Sequence, residues 1–269
     1  MALESEIAKA VNQMGEKTRL RDACEYALLS GGKRLRPLMV LMVAEALGYG
    51  LDVMPVALSV EYFHTSSLIA DDLPCMDNDD ERRGRPSLHK AFAENVALLA
   101  SFTLMASGYE GIYKNQLRMK GDSRFRDRAD IAAARCLEIA SRCGGIQGVT
   151  SGQFLDLYPP DSKIETIEKI ILQKTVTLFQ ASFVFGWLFG GGDPHLQEEV
   201  EKVAYHLGMA FQIADDLQDM EQDTLHKCEI NIASVLGKEA AMHRFVKEIK
   251  LWKEGLESLG IWNADFENA

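Results

Sequence analysis

The sequence predicts an all-α protein, and three observations carry that prediction. Proline is scarce, at seven residues in 269. The segments between glycine or proline breaks are long and rich in Ala, Leu, Met, Glu and Lys, the better helix formers. Apolar residues either cover every face of a segment or gather on one side, as they do in central and outer helices respectively.

Taken in order, the first twenty residues alternate charged and apolar character. They have neither the basic start nor the apolar core of a secretory leader. Leu38 to Leu47 is apolar on nearly every face, as is Val96 to Met105, so both are expected to be buried central helices. Ile164 to Gln173 and Ala240 to Leu256 are one-sided and are expected to wrap around them. Breaks are expected at Gly31-Gly32, Gly48 to Gly50, Pro74, Gly84 to Pro86, Gly121 to Ser123, Gly144-Gly145, Pro159-Pro160 and Gly190 to Pro194. None has the composition of an interdomain linker, so residues 1–269 are expected to form one domain. The longest apolar runs are too short or too interrupted to cross about 30 Å of hydrocarbon.

Hydrophobic residues make up 47% and charged residues 26%, with a formal charge of −11. That balance excludes a disordered chain. The charge argues against a nucleic-acid or anionic-membrane partner, because both require clustered Lys and Arg to displace counterions. Five cysteines lie in no metal-binding spacing and fit a reducing cytoplasm.

The sharpest local feature is Asp71-Asp72-Leu73-Pro74-Cys75-Met76-Asp77-Asn78-Asp79-Asp80, five carboxylates in ten residues after the apolar stretch ending at Ala70. Carboxylates held this close repel one another unless a cation neutralises them, which points to a hard divalent metal, although a solvated acidic helix end would have the same composition. An EF-hand is excluded, because Arg82 stands where that loop needs Gly. A second cluster follows in Phe211-Gln212-Ile213-Ala214-Asp215-Asp216-Leu217-Gln218-Asp219. Asp215 and Asp219 are four residues apart and share a helix face, with Gln212 one turn earlier. Apolar neighbours around them point to a cavity. The third part is cationic. Lys33, Arg34 and Arg36 follow Gly31-Gly32, and Arg82, Arg83 and Arg85 follow the first acidic cluster; arginine forks and a lysine point charge suit a diphosphate.

These segments resemble a trans-prenyl diphosphate synthase of the farnesyl and geranylgeranyl diphosphate synthase family. The matching motifs are GGKRLRP at 31–37, HTSSLIADDLPCMDNDDERRGRP at 64–86, GGIQGVTSGQFLDL at 144–157, Lys174-Thr175 and FQIADDLQD at 211–219, in family order. The resemblance implies an isoprenoid-synthase-type helical bundle around a deep central cavity. It implies condensation of isopentenyl diphosphate with an allylic diphosphate and a farnesyl or geranylgeranyl diphosphate product. It also implies about three Mg2+ ions per site acting as Lewis acids, held by Asp71, Asp77 and Asp215 with Asp72 and Asp219 near them. Arg82, Lys174, Thr175 and Gln212 would assist at the allylic diphosphate, and Lys33, Arg36, His64 and Arg83 would bind isopentenyl diphosphate. A homodimer is implied as well.

Product length is expected to be set below the metal end. Ser66 and Ser67 lie about one turn before Asp71 and are small, so Tyr62 or Phe63 would form a deeper floor. The chain departs from the family after Asp219. Its loop is short, Glu229 stands where a lysine is expected, and Lys227 is a candidate replacement. Ala100-Ser101 replaces a Gly-Asp pair, and Thr177 to Gln180 depart from a small-residue pattern. These departures keep a second reading open, a weakly active or non-catalytic regulatory subunit that binds isoprenoid diphosphates. A class I terpene synthase is a third, disfavoured by the composition of the second acidic motif.

Overall fold

The computed structural model describes residues 2–226 and 231–268. The chain winds through fourteen α-helices among the described residues. They are α1 (Ala2–Asn12), α2 (Arg19–Leu28), α3 (Leu35–Ala46), α4 (Met54–Asp71), α5 (Leu88–Phe92), α6 (Glu94–Gly121), α7 (Ala129–Gly144), α8 (Val149–Leu157), α9 (Ile164–Ile171), α10 (Thr177–Phe189), α11 (Gln197–His226), α12 (Ile232–Leu236), α13 (Lys238–Ser258) and α14 (Ala264–Glu267). A hairpin of two-residue strands, β1 (Glu81–Arg82) and β2 (Arg85–Pro86), interrupts the helices after α4. Every expected glycine or proline break falls at the end of a helix or in the loops and the hairpin between helices.

Three helices make the centre. α3 buries Met39, Val40, Met42, Val43 and Ala44, and α4 buries nearly all of its first ten residues. In α10 only Gln180 escapes full burial, so its run of Phe179, Phe183, Phe185, Trp187 and Phe189 belongs to a helix that is apolar all round because it has no solvent side. α9 and α13 are amphipathic outer helices, as expected. α6 corrects the expectation for Val96 to Met105. Ala97, Ala100 and Leu104 are buried, but Leu98, Leu99 and Phe102 are 42, 52 and 62% exposed. The segment is apolar on two faces, and only the one packed on neighbouring helices is buried.

The α4/α6 contact runs antiparallel through small residues. Ser66 meets Ser101 at one end, and the Asn115 Oδ1 accepts from the Val56 backbone N–H at the other, at 3.2 Å. Small residues let two helices close to short range, and this pair walls the cavity described below. Among the described residues no helix is long and apolar enough to cross a membrane.

Candidate active site

α4 ends at Asp71, and the following loop folds straight back. The Asp77 backbone N–H donates to the Asp71 carbonyl at 2.9 Å, and Met76 and Asn78 both donate to the Leu73 carbonyl. This turn brings Asp77 beside Asp71 at the rim of an apolar cavity of about 420 Å³. Its walls include Ser66, Ser67, Ser101, Met105, Leu178 and Ala181, and Phe63 lies at its deep end. Burial pushes the Asp71 carboxyl up to about 6; Lys174 opposes the rise, while Asp77 and Asp72 add to it.

Lys174 reaches this rim from an unusual turn. Residues Leu172–Val176 form a π-helical turn between α9 and α10, a local widening that often marks functional sites. α8 packs directly on it: a Cβ at Gly152 would lie 2.5 Å from the Lys174 backbone N, so only glycine fits there. The neighbouring residues on α8 then meet the acidic rim. Gln153 donates from Nε2 to Asp77 at 3.0 Å, and Asp156 accepts from the Lys174 ammonium. Burial lowers the Lys174 pKa, but Asp156, Asp71 and Asp77 outweigh it and hold the ammonium above its ordinary value.

A second, polar cavity of about 350 Å³ lies on the other side of α4, lined by Lys33, Arg36, His64, Arg83, Phe211 and Asp215 among others. The Arg36 guanidinium sits over the Phe179 ring at 4.7 Å and 3.4 Å from His64 Nε2, and its Nε is buried without a hydrogen-bond partner. Burial pulls Arg36 down to about 10, while Glu61 and Asp215 support its charge. Burial, and then the Arg36 and Arg83 guanidiniums, push His64 well below the usual imidazole value, so it is neutral at pH 7. A pocket of cations in which the Arg36 Nε is buried without a hydrogen-bond partner suits an anion.

A profile of the polyprenyl synthetase family matches residues 17–229. The chain belongs to the polyprenyl synthetase family. Among its relatives, a putative geranylgeranyl pyrophosphate synthase of Arabidopsis thaliana is 39% identical over 78% of this chain and 57% of its own. A farnesyl diphosphate synthase of Geobacillus stearothermophilus is 37% identical over 82% of this chain and 72% of its own. The chain therefore spans under three-fifths of the length of the plant relative. Of solved structures, an FPP/GFPP synthase from Zymomonas mobilis superposes with a TM-score of 0.84 at 30% identity, covering 99% of this chain and 94% of that one. A geranyltransferase from Legionella pneumophila gives 0.81 at 28% identity, covering 96% and 88%. The all-α isoprenoid-synthase fold is thereby established.

The fold brings together several of the residues singled out in the sequence and separates others. Asp71 lines the apolar cavity with Asp77 and Lys174 beside it, and Lys33, Arg36, His64, Arg83 and Asp215 share the polar cavity. Thr175 and Gln212 connect the two halves through a 2.8 Å hydrogen bond from the Thr175 hydroxyl to Gln212 Oε1. Asp219, one turn beyond Asp215 on α11, is exposed. Asp72 and Arg82 depart from expectation. Asp72 caps α4 and turns toward the β1–β2 hairpin, where the Arg82 guanidinium pairs with it and, at 3.1 Å, with Asp79. In this conformation each is occupied by the other and Asp72 does not line the apolar cavity. Tyr62 is not at the cavity floor; it faces away from it, into a cleft with Leu58 and Glu110, because adjacent helix positions diverge by about 100°. Glu229 and Lys227 lie outside the described residues.

Among the described residues no three His, Cys, Asp or Glu side chains converge closely enough to hold an ion by themselves. The donors at the rim nevertheless suit a hard cation. Asp71 and Asp77 are joined there by Gln153 Oε1, which is buried without a partner, and all are oxygen donors. Gln153, Asp156 and Gly152 were given no role in the sequence reading, although the segment containing them stood out. The available signal was Gln153 and Asp156, two polar residues three apart and hence on one face of an otherwise apolar helix.

Proposed function

We propose that this chain is a short-chain prenyl diphosphate synthase that joins isopentenyl diphosphate to an allylic diphosphate, giving a farnesyl or longer, geranylgeranyl-length product. The observation that carries the reading is the pairing of a deep apolar cavity, lined at one end by Asp71 with Asp77 and Lys174 beside it, with a cationic pocket across the same helix. An apolar tail and a separate anion are the two things such a pair accepts.

The allylic tail occupies the apolar cavity and its diphosphate meets Lys174 and Gln212. The isopentenyl diphosphate occupies the pocket of Lys33, Arg36, His64 and Arg83, where the neutral imidazole offers a hydrogen bond without adding charge. Mg2+, about three ions by family habit, would be held by Asp71, Asp77, Asp215 and Asp219, with Asp72 available only if Arg82 releases it; bound there, it supplies Lewis-acid stabilisation of the leaving diphosphate. When the allylic C–O bond breaks, its electron pair leaves with diphosphate and a carbocation remains. The isopentenyl double bond then attacks the cationic carbon, and the proton lost from the new chain goes to the departing diphosphate. The protein needs no nucleophile. It aligns the two substrates and keeps water from the cation.

The reading extends to a homodimer and a reducing compartment. Leu98, Leu99, Phe102 and Tyr113 form an exposed apolar stripe on α6, of the kind that marks an association surface. Cys24, Cys75, Cys136 and Cys143 are unpaired.

The test is incubation of the purified chain with Mg2+, labelled isopentenyl diphosphate and, in turn, dimethylallyl, geranyl and farnesyl diphosphate. Elongated diphosphates are expected. Binding of both substrates without elongation would select the non-catalytic subunit instead, and cyclised hydrocarbon would select a terpene synthase.

A further inference from the structure

The depth of the apolar cavity depends on a helix–helix contact that lies in none of the motifs. Phe63 sits on α4 about two turns from Asp71; it lines the cavity and is only 7% exposed. Facing it on α6 is Gly108. A Cβ at position 108 would fall 2.4 Å from the ring's Cε1 and 2.7 Å from Cδ1 and Cζ. The ring therefore occupies the volume that a side chain at 108 would need. A second edge of the ring is held by Tyr109, at 5.1 Å between centroids and 66° between planes. The cavity bounds the ring as well, and there the space is unfilled.

The two helices cannot simply part to relieve a clash at this level. One turn nearer the metal end, the Ser66 hydroxyl donates to the Ser101 carbonyl at 2.9 Å, and the Ser101 hydroxyl donates to the Ser66 carbonyl at 3.0 Å. Both serines are buried, so separating the helices would leave these groups unsatisfied. On the other side, Gly111 lies against Ser59, where an added Cβ would meet the hydroxyl at 2.1 Å. With the helices held above and below, a methyl at 108 must displace the Phe63 ring, and the open direction is the cavity.

We propose that Gly108 is a positioning residue for product length: by seating the Phe63 ring between α4 and α6, it keeps the cavity floor low and admits a longer isoprenoid tail. This rests on the prenyl diphosphate synthase reading. Ser66 and Ser101, small and mutually satisfied, leave the shaft above that floor open.

The experiment compares wild type, Gly108→Ala, Phe63→Leu and the double variant by two readouts. One is the product distribution with Mg2+, isopentenyl diphosphate and geranyl or farnesyl diphosphate. The other is calorimetric affinity for a series of saturated alkyl diphosphates of increasing tail length. Gly108→Ala is expected to lower the product ceiling by one isoprene unit and cut the longest wild-type product about tenfold or more, with KM for the shortest primer within about twofold. Phe63→Leu is expected to raise the ceiling, and in the double variant to restore the long product. An unchanged ceiling in Gly108→Ala overturns the proposal, as does a shortened ceiling that Phe63→Leu leaves shortened. If Gly108→Ala does not fold, Phe63→Leu alone decides: an unraised ceiling overturns the proposal. If wild type makes no product, the activity reading falls by itself. The affinity series then still judges Gly108 by the tail length at which binding stops improving, which should drop in Gly108→Ala and recover in the double variant.

Discussion

Replacing Asp71 by Asn should stabilise the metal-free protein while removing its activity. Asp71 is 8% exposed, and burial raises its carboxyl from an ordinary 3.8 to about 6, helped by Asp77 and Asp72 and opposed by Lys174 and Arg82. A rise of that size corresponds to about 3 kcal/mol of preference for the protonated form in the folded state. The sign follows from linkage. A folded-state pKa above the unfolded one favours folding fully below 3.8, and the advantage is lost as pH rises through about 6. At pH 8 the folded protein therefore carries a buried anion at its full cost, which an amide does not. Thermal unfolding in EDTA should show Asp71→Asn more stable than wild type by up to about 3 kcal/mol at pH 8, or roughly 5 °C in Tm, with the difference shrinking toward zero near pH 4. Adding Mg2+ should raise the wild-type Tm and leave that of the variant nearly unchanged. Equal stability at pH 8, or a gain of the same size at pH 4 and pH 8, would refute the account of Asp71 as a strained carboxylate.

Lys174→Met removes the cation that Asp156, Asp71 and Asp77 share; kcat/KM should fall about ten- to a hundredfold, and the acid limb of the pH–rate profile should move to higher pH because Asp71 loses its main counter-charge. Gly152→Ala puts a methyl into the backbone of the π-helical turn, where 2.5 Å is available; stability should drop by about 1–3 kcal/mol, and the loss in kcat should exceed that of an Ala substitution on the outer face of α9. Phe102→Glu places a charge in the exposed stripe of α6. Sedimentation should find it monomeric under conditions where wild type is dimeric, whereas a variant that remains dimeric would move the interface elsewhere.

The motif residues were legible because their chemistry is local. Five aspartates within one turn-containing segment, a pair spaced four apart, and arginines flanking glycines state a cation and anion preference whatever the fold. Asp72 and Arg82 show the limit of that reading. Both belong to the motif, yet α4 stops one residue before Asp72, so its side chain turns to the hairpin and Arg82 claims it. Tyr62 and Phe63 are likewise equivalent as letters, and a helix rotation of about 100° puts one in the cavity and the other in a separate cleft.

Composition and helical periodicity by themselves determined the all-α class, the positions of the breaks and the clusters of carboxylates and cations proposed to bind metal and diphosphate, because each follows from backbone propensity or from charges close in sequence. Tertiary structure alone decided which helix faces became walls. Val96 to Met105 and Thr177 to Phe189 are similarly apolar, but one leaves Phe102 in solvent while the other is enclosed by its neighbours. It also decided that Gln153 and Asp156 meet the acidic rim, and that Gly108 gives Phe63 its seat. Those contacts join residues tens of positions apart, and no spacing within one helix encodes how closely a second helix will approach.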